Sequence, residues 1–112
     1  MRMEKEFCYL KDFGYEKFEN VVNMIGGKWK LRIIYVLAFN EILRYGELKR
    51  ILSPITHKML TTQLKELEKD GLVNRKEYQQ VPPKVEYSLT QKGKDLEPVV
   101  KEIHTWITKY DI

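Results

Sequence analysis

The chain has 112 residues and a formal net charge of +4, with 43% hydrophobic, 32% charged and 12% aromatic side chains; this suits one globular domain with a modest core and excludes a disordered tail, a collagen-like fibre or a linker. No apolar run approaches the ~20 residues that span a bilayer, and the charged N-terminal stretch MRMEKEFCYLKD lacks the apolar segment of a secretory signal, so a soluble cytoplasmic protein is expected. The single cysteine, Cys8, precludes an intrachain disulfide, and Cys8, His57 and His104 are too scattered to form a zinc cage, so neither metal nor cofactor is expected.

From Tyr15 to Ile25, Phe18, Val21, Val22 and Ile25 recur at three to four residues, which predicts a first helix that Gly26-Gly27 ends. Residues 28–40, KWKLRIIYVLAFN, predict a second helix with Trp29, Ile33, Val36 and Leu37 on one face and enough apolar residues elsewhere to make it central to the core. Glu41 to Arg44 is short enough for a connecting strand. Tyr45, Leu48, Ile51 and Leu52 predict a third helix, with Arg44, Lys49 and Arg50 left outside, and Ser53-Pro54 breaks it. A fourth helix, His57 to Asp70, starts after Thr56, whose hydroxyl suits an N-cap, and stops at Gly71. The period then drops to two. Val85, Tyr87 and Leu89 alternate with Lys84, Glu86 and Ser88 in a strand that residues 72–78 are expected to pair with, and Gln79 to Pro83 form the exposed tip of the hairpin. Thr90 is expected to cap a last helix over 91–110, which Pro98 should bend.

The fourth helix carries the candidate function. Leu60, Leu64 and Leu67 lie at i, i+4 and i+7, so Lys58, Thr62, Lys65 and Lys69 fall on the opposite side, with Thr61 flanking them. A major groove about 12 Å wide admits one α-helix whose short polar side chains reach base edges while lysines hold phosphates. Helix, turn, helix and hairpin in this order make the winged variant of helix-turn-helix: a mainly α fold with a small β-hairpin wing. The chain thus reads as a single winged helix-turn-helix domain over 1–112, with helix-turn-helix 45–70, wing 72–89 and dimerisation helices 15–25 and 91–110. Arg75, Lys76 and Lys84 on the wing, Gln79 and Gln80 at its tip, Arg44 and Lys49 beside the third helix, and His57 at the start of the reading helix complete the expected DNA-binding set. The charge distribution agrees: residues 26–94 hold fourteen Lys/Arg against seven Asp/Glu, while residues 1–25 and 95–112 carry −1 and −2.

Several stretches resemble one known family. Ile25-Gly26-Gly27-Lys28-Trp29 is similar to the IGGKW opening of the HxlR-type regulators, a bacterial and archaeal branch of the MarR-like winged helix-turn-helix proteins. Arg44-Tyr45-Gly46-Glu47-Leu48 is similar to that family's R-[FY]-x-E-L, THKMLTTQLKELE (56–68) to its recognition helix, and Gly71-Leu72-Val73 with YQQVPPKVEYSLTQKG (78–93) to its wing. The resemblance implies a cytoplasmic homodimeric transcriptional regulator, most often a repressor. Several relatives sense oxidants through a cysteine ten residues before the first glycine of IGGKW; here Glu16 holds that place and Cys8 lies eight residues further upstream, so the sensor role is not copied by position. Cys8 remains the one candidate redox sensor: Lys5 and Lys11 favour a thiolate, while Phe7 and Tyr9 suit burial. A small-molecule or oxidant inducer is not identified by the sequence.

A stripe of Val99, Val100, Ile103, Trp106, Ile107 and Tyr110 exceeds what a small monomer leaves in water, and with Phe18 and Val22 it forms the expected dimer interface. Two-fold symmetry then implies an inverted-repeat operator with half-sites about 34 Å apart. No nucleophile with its base, paired acids or phosphate-cradling loop is recognisable, so no enzyme is expected. The competing reading is a winged-helix protein-interaction module whose basic face meets an acidic partner.

Overall fold

Leucines spaced for one helical face draw the elements of this chain together. The computed structural model describes residues 14–111, and Cys8, the candidate redox sensor, lies outside the described residues. The elements in chain order are α1 (Tyr15–Ile25), α2 (Lys30–Asn40), β1 (Ile42–Arg44), α3 (Tyr45–Ile51), α4 (His57–Lys69), β2 (Val73–Tyr78), β3 (Lys84–Leu89), α5 (Gln91–Lys94) and α6 (Glu97–Tyr110). Ile33, Ile34 and Leu37 of α2, Leu48 of α3 and Leu60, Leu64 and Leu67 of α4 meet in one buried cluster, closed from below by Leu72, Val73, Tyr87 and Leu89. Trp29, just before α2, is buried in the same cluster.

Local chemistry explains the boundaries. The Thr56 hydroxyl accepts from the Met59 backbone N–H at 3.1 Å, satisfying one of the free donors of the first turn of α4. At the other end Gly71 takes φ +77°, a left-handed conformation that glycine adopts without steric cost, and turns the chain into the sheet. The Arg44 backbone N–H donates to Glu47 Oε1 at 2.8 Å, which fixes the entry to α3.

The sheet has three antiparallel strands in the order β1-β3-β2. Val73 faces Leu89, Arg75 faces Tyr87 and Tyr78 faces Lys84 along the hairpin, while Leu43 of β1 faces Tyr87 on the other side. The short segment after α2 is therefore more than a connection: it pairs with β3 and anchors the wing to the start of α3. This is the winged helix-turn-helix arrangement.

Two expectations about the C-terminal helix are corrected. Residues 91–110 form two helices rather than one, because Asp95 and Leu96 separate α5 from α6. Pro98 does not bend a helix: it sits in the first turn of α6, where its missing N–H is one that the helix would leave unbonded in any case. Val100, expected at the dimer interface, is only 4% exposed and is buried within its own chain. Ile107 is half-buried. Phe18, Val22, Val99, Ile103, Trp106 and Tyr110 remain exposed, and α1 buries no residue at all; only Met24 and Ile25 at its end pack against the core.

Thr90 ties the end of α4 to the C-terminal half. Its hydroxyl donates to the Gly71 carbonyl at 2.6 Å and accepts from the Gly93 N–H at 3.0 Å. A side chain at Gly93 would collide with the Leu72 carbonyl oxygen, so Gly93→Ala should destabilise the fold by about 2 kcal/mol. Gly46, in α3, has open space around it, and Gly46→Ala should instead stabilise by about 0.5 kcal/mol. Urea melts of the two variants check this packing, which predicts shifts of opposite sign.

Candidate nucleic-acid interface

Burial of α4 is one-sided. Leu60, Leu64 and Leu67 are enclosed, whereas Lys58, Thr62, Lys65 and Lys69 are exposed on the far side. Among the described residues, none of these three lysines has a carboxylate within 4 Å, so their charges are not cancelled locally. Glu66, at the flank of that face, pairs with Lys30 of α2 at 2.6 Å. Lys49 lies one turn along α3 from Tyr45 and is exposed beside it.

Thr61 and His57 occupy the edge of this face, and Tyr45 of α3 holds both. Its hydroxyl lies 2.7 Å from His57 Nδ1, 3.1 Å from the His57 carbonyl and 3.1 Å from Thr61 Oγ1. The two rings pack edge to face with centroids 5.2 Å apart. Beside them a groove of about 420 Å³ runs between α4 and the wing, lined by Thr61, Lys65, Glu68, Arg75, Val85 and Tyr87 among others. The sequence pattern pointed to Tyr45 only as an apolar residue of a helix face; a phenol, with an apolar body and a polar tip, serves both purposes. Glu68, also missed, lines the same groove as Lys65 and Arg75.

The wing distributes its cations over two faces. Arg75 lies opposite Tyr87 and therefore on the side of α4, where it donates to Glu77 Oε1 at 3.2 Å. Its pKa is raised, mainly by the hydrogen bond to the Tyr87 hydroxyl and further by Glu77, so the guanidinium is held firmly charged. Lys76 and Lys84 are on the reverse face, with ammonium groups 4.9 and 4.5 Å from the centre of the Tyr78 ring. Lys84 also pairs with Glu86 at 3.3 Å. Arg44 faces Glu86 from β1. The three wing cations expected to act together are thus divided by the pleat, Arg75 on one side and Lys76 and Lys84 on the other. Gln79, Gln80 and Val81 are exposed at the tip.

Among the described residues, no group of three or more His, Cys, Asp or Glu side chains comes together as metal ligands, and no helix is long and apolar enough to cross a membrane.

The arrangement has close counterparts. Residues 24–111 match the family described as HxlR-like helix-turn-helix. A relative in Halalkalibacterium halodurans, the uncharacterized HTH-type transcriptional regulator BH0655, is 56% identical over 97 residues, which cover 87% of this chain and 81% of the relative. Among solved structures, the redox regulator HypR in its oxidized form superposes with a TM-score of 0.76 at 47% identity, covering 83% of this chain and 95% of HypR. The putative HTH-type transcriptional regulator YtcD superposes at 0.78 and 46% identity, covering 83% of this chain and 94% of YtcD.

The reverse face of the wing offers a direct check on its hydrogen bonding. The Glu86 carboxyl is held below its ordinary pKa, first by the Tyr78 hydroxyl and then by Lys84 and Arg44. A depressed carboxyl pKa stabilises the wing above the unfolded-state value, and that contribution is lost as pH falls through the folded-state value. In Tyr78→Phe the Glu86 carboxyl should titrate closer to its ordinary value, read by carbon-13 NMR of its side chain; an unmoved titration would contradict the bond.

Proposed function

Because the chain belongs to the HxlR-like helix-turn-helix family of transcriptional regulators, we propose that it is a sequence-specific double-stranded DNA-binding repressor acting as a homodimer. The observation that carries this reading is the exposed face of α4, where Lys58, Thr62, Lys65 and Lys69 stand outward while three leucines pin the opposite side. In this account α4 enters the major groove. Thr61, Thr62 and His57 face base edges, Lys58, Lys65 and Lys69 meet the flanking phosphates, and Arg44 and Lys49 hold the backbone next to α3. Arg75, Lys76 and Lys84 place charge from both faces of the wing near the adjoining backbone, with Gln79 and Gln80 at the tip suited to minor-groove acceptors.

What the fold leaves uncovered supports dimerisation. Phe18 is 63% exposed and Trp106 57%; with Val22, Val99, Ile103, Ile107 and Tyr110 they present more apolar surface than a small monomer keeps in water. A second copy, related by a two-fold axis through α1 and α6, covers it and leaves the basic centre free. The two reading helices then meet an inverted repeat with half-sites about one DNA turn, ~34 Å, apart. HypR is named a redox regulator; Cys8 is the only thiol in this chain, so a thiol-based oxidant response here would pass through it and vanish in Cys8→Ser.

Gel-shift assays with the DNA upstream of the chain's own gene, competed by bulk DNA, test the reading. A retained specific complex is expected. If six to ten phosphates are contacted, affinity should fall about 10³- to 10⁵-fold between roughly 50 and 200 mM salt, and Lys65→Ala should weaken binding and flatten that dependence. Salt-insensitive binding, or capture of an acidic protein in place of DNA, would contradict it. Trp106→Glu should shift the protein towards monomer in sedimentation and weaken operator binding with it.

A further inference from the structure

We propose that the Tyr45 hydroxyl is a positioning residue for base recognition, fixing the proton arrangement of His57 and the rotamer of Thr61 at the groove edge of α4. The inference rests on the reading of α4 as the DNA-contacting helix and adds to it a residue on α3 that itself touches no DNA.

The argument is a count of protons. A phenol offers one donor and two acceptor sites, and three polar atoms surround this one: His57 Nδ1 at 2.7 Å, the His57 carbonyl oxygen at 3.1 Å and Thr61 Oγ1 at 3.1 Å. A carbonyl oxygen only accepts, so for that contact to be a hydrogen bond the phenol proton goes to it. Both remaining contacts must then donate to the phenol oxygen: Nδ1 carries its proton, and the Thr61 hydroxyl hydrogen turns inward. It is the one arrangement in which all three contacts are hydrogen bonds at once. The neutral imidazole is thereby held as the Nδ1–H tautomer, the less common form of a free histidine side chain.

The consequence lies at the far end of the ring. With Nδ1 engaged, Nε2 is left as a hydrogen-bond acceptor, and the edge-to-face packing on Tyr45 sets the plane of the ring. The Thr61 oxygen likewise keeps its lone pairs for the groove. In the major groove such acceptors match the exocyclic amino groups of adenine and cytosine and are repelled by the carbonyl oxygens of guanine and thymine. A phenylalanine at position 45 would keep the ring packing but release both side chains to other tautomers and rotamers, so affinity for unrelated DNA would depend on the lysines while discrimination at one base pair weakened.

The test pairs a spectroscopic and a binding readout. Nitrogen-15 NMR of the wild-type protein, at a pH where the imidazole is neutral, should show His57 as the Nδ1–H form and the Tyr45→Phe variant should revert to the Nε2–H form; the Nε2–H form in wild type overturns the proposal, whatever the fate of the variant. A randomised duplex library is then enriched with the wild-type protein, and the ratio of its affinities for the enriched duplex and a scrambled one is compared with that of Tyr45→Phe. The ratio should fall about tenfold, and in the His57→Ala, Thr61→Ala background Tyr45→Phe should change it no further. An unchanged ratio in Tyr45→Phe overturns the positioning role. A wild-type pool that stays random overturns the underlying DNA reading instead.

Discussion

The placement of α4 depends on the burial of Leu60, Leu64 and Leu67 against α2 and α3. Each is at most 2% exposed, and burying a leucine side chain is worth about 1.5–3 kcal/mol, so rolling the helix to bury any lysine would forfeit several such contacts. The basic face is outward because the leucine face has nowhere else to go. The same constraint reaches the wing. Once α4 stops at Gly71, Leu72 and Val73 enter the core and β2 begins, so the hairpin leaves the body next to the helix it flanks. Thr90 closes the circuit by bonding back to the Gly71 carbonyl.

The cationic excess and the uncovered apolar faces of α1 and α6 lie in different segments of the chain. The excess of cations lies between residues 26 and 94, while the uncovered apolar side chains of α1 and α6 lie in the two segments of net negative charge. Two copies meeting at those ends, as proposed, would bring together less charge of one sign than copies meeting through the middle, whose cations would stay free for a polyanion. A symmetric dimer and a DNA-facing centre are therefore compatible demands on this one chain, which would not hold had the lysines been spread evenly.

Much of this architecture was legible before any coordinates. The 3.6-residue recurrence marked α1 to α4, and the period of two in Val85, Tyr87 and Leu89 marked β3. That same alternation also separates Arg75 from Lys76, so the division of the wing's cations was available from the pattern, although treating them as one basic element obscured it. Other features were out of reach. Pro98 is equally consistent with a bent helix and with a new helix starting at that point, and only the break at Asp95 and Leu96 decides between them. The stripe on α6 gave the width of the apolar face but not which half meets the chain's own α2, which is why Val100 was assigned outward. The Tyr45 contacts join residues 12 and 16 positions apart across two helices, and no local spacing encodes such a meeting.

The central claim, that the face of α4 opposite its leucines is the one that meets duplex DNA, is most directly tested by amide chemical-shift mapping during titration with a duplex the protein retains at physiological salt. The account predicts that the largest changes fall on residues 57–69 and on the wing, with the buried leucine side of α4 little affected. Perturbations concentrated on α1 and α6, with the amides of α4 unmoved at saturation, would contradict it.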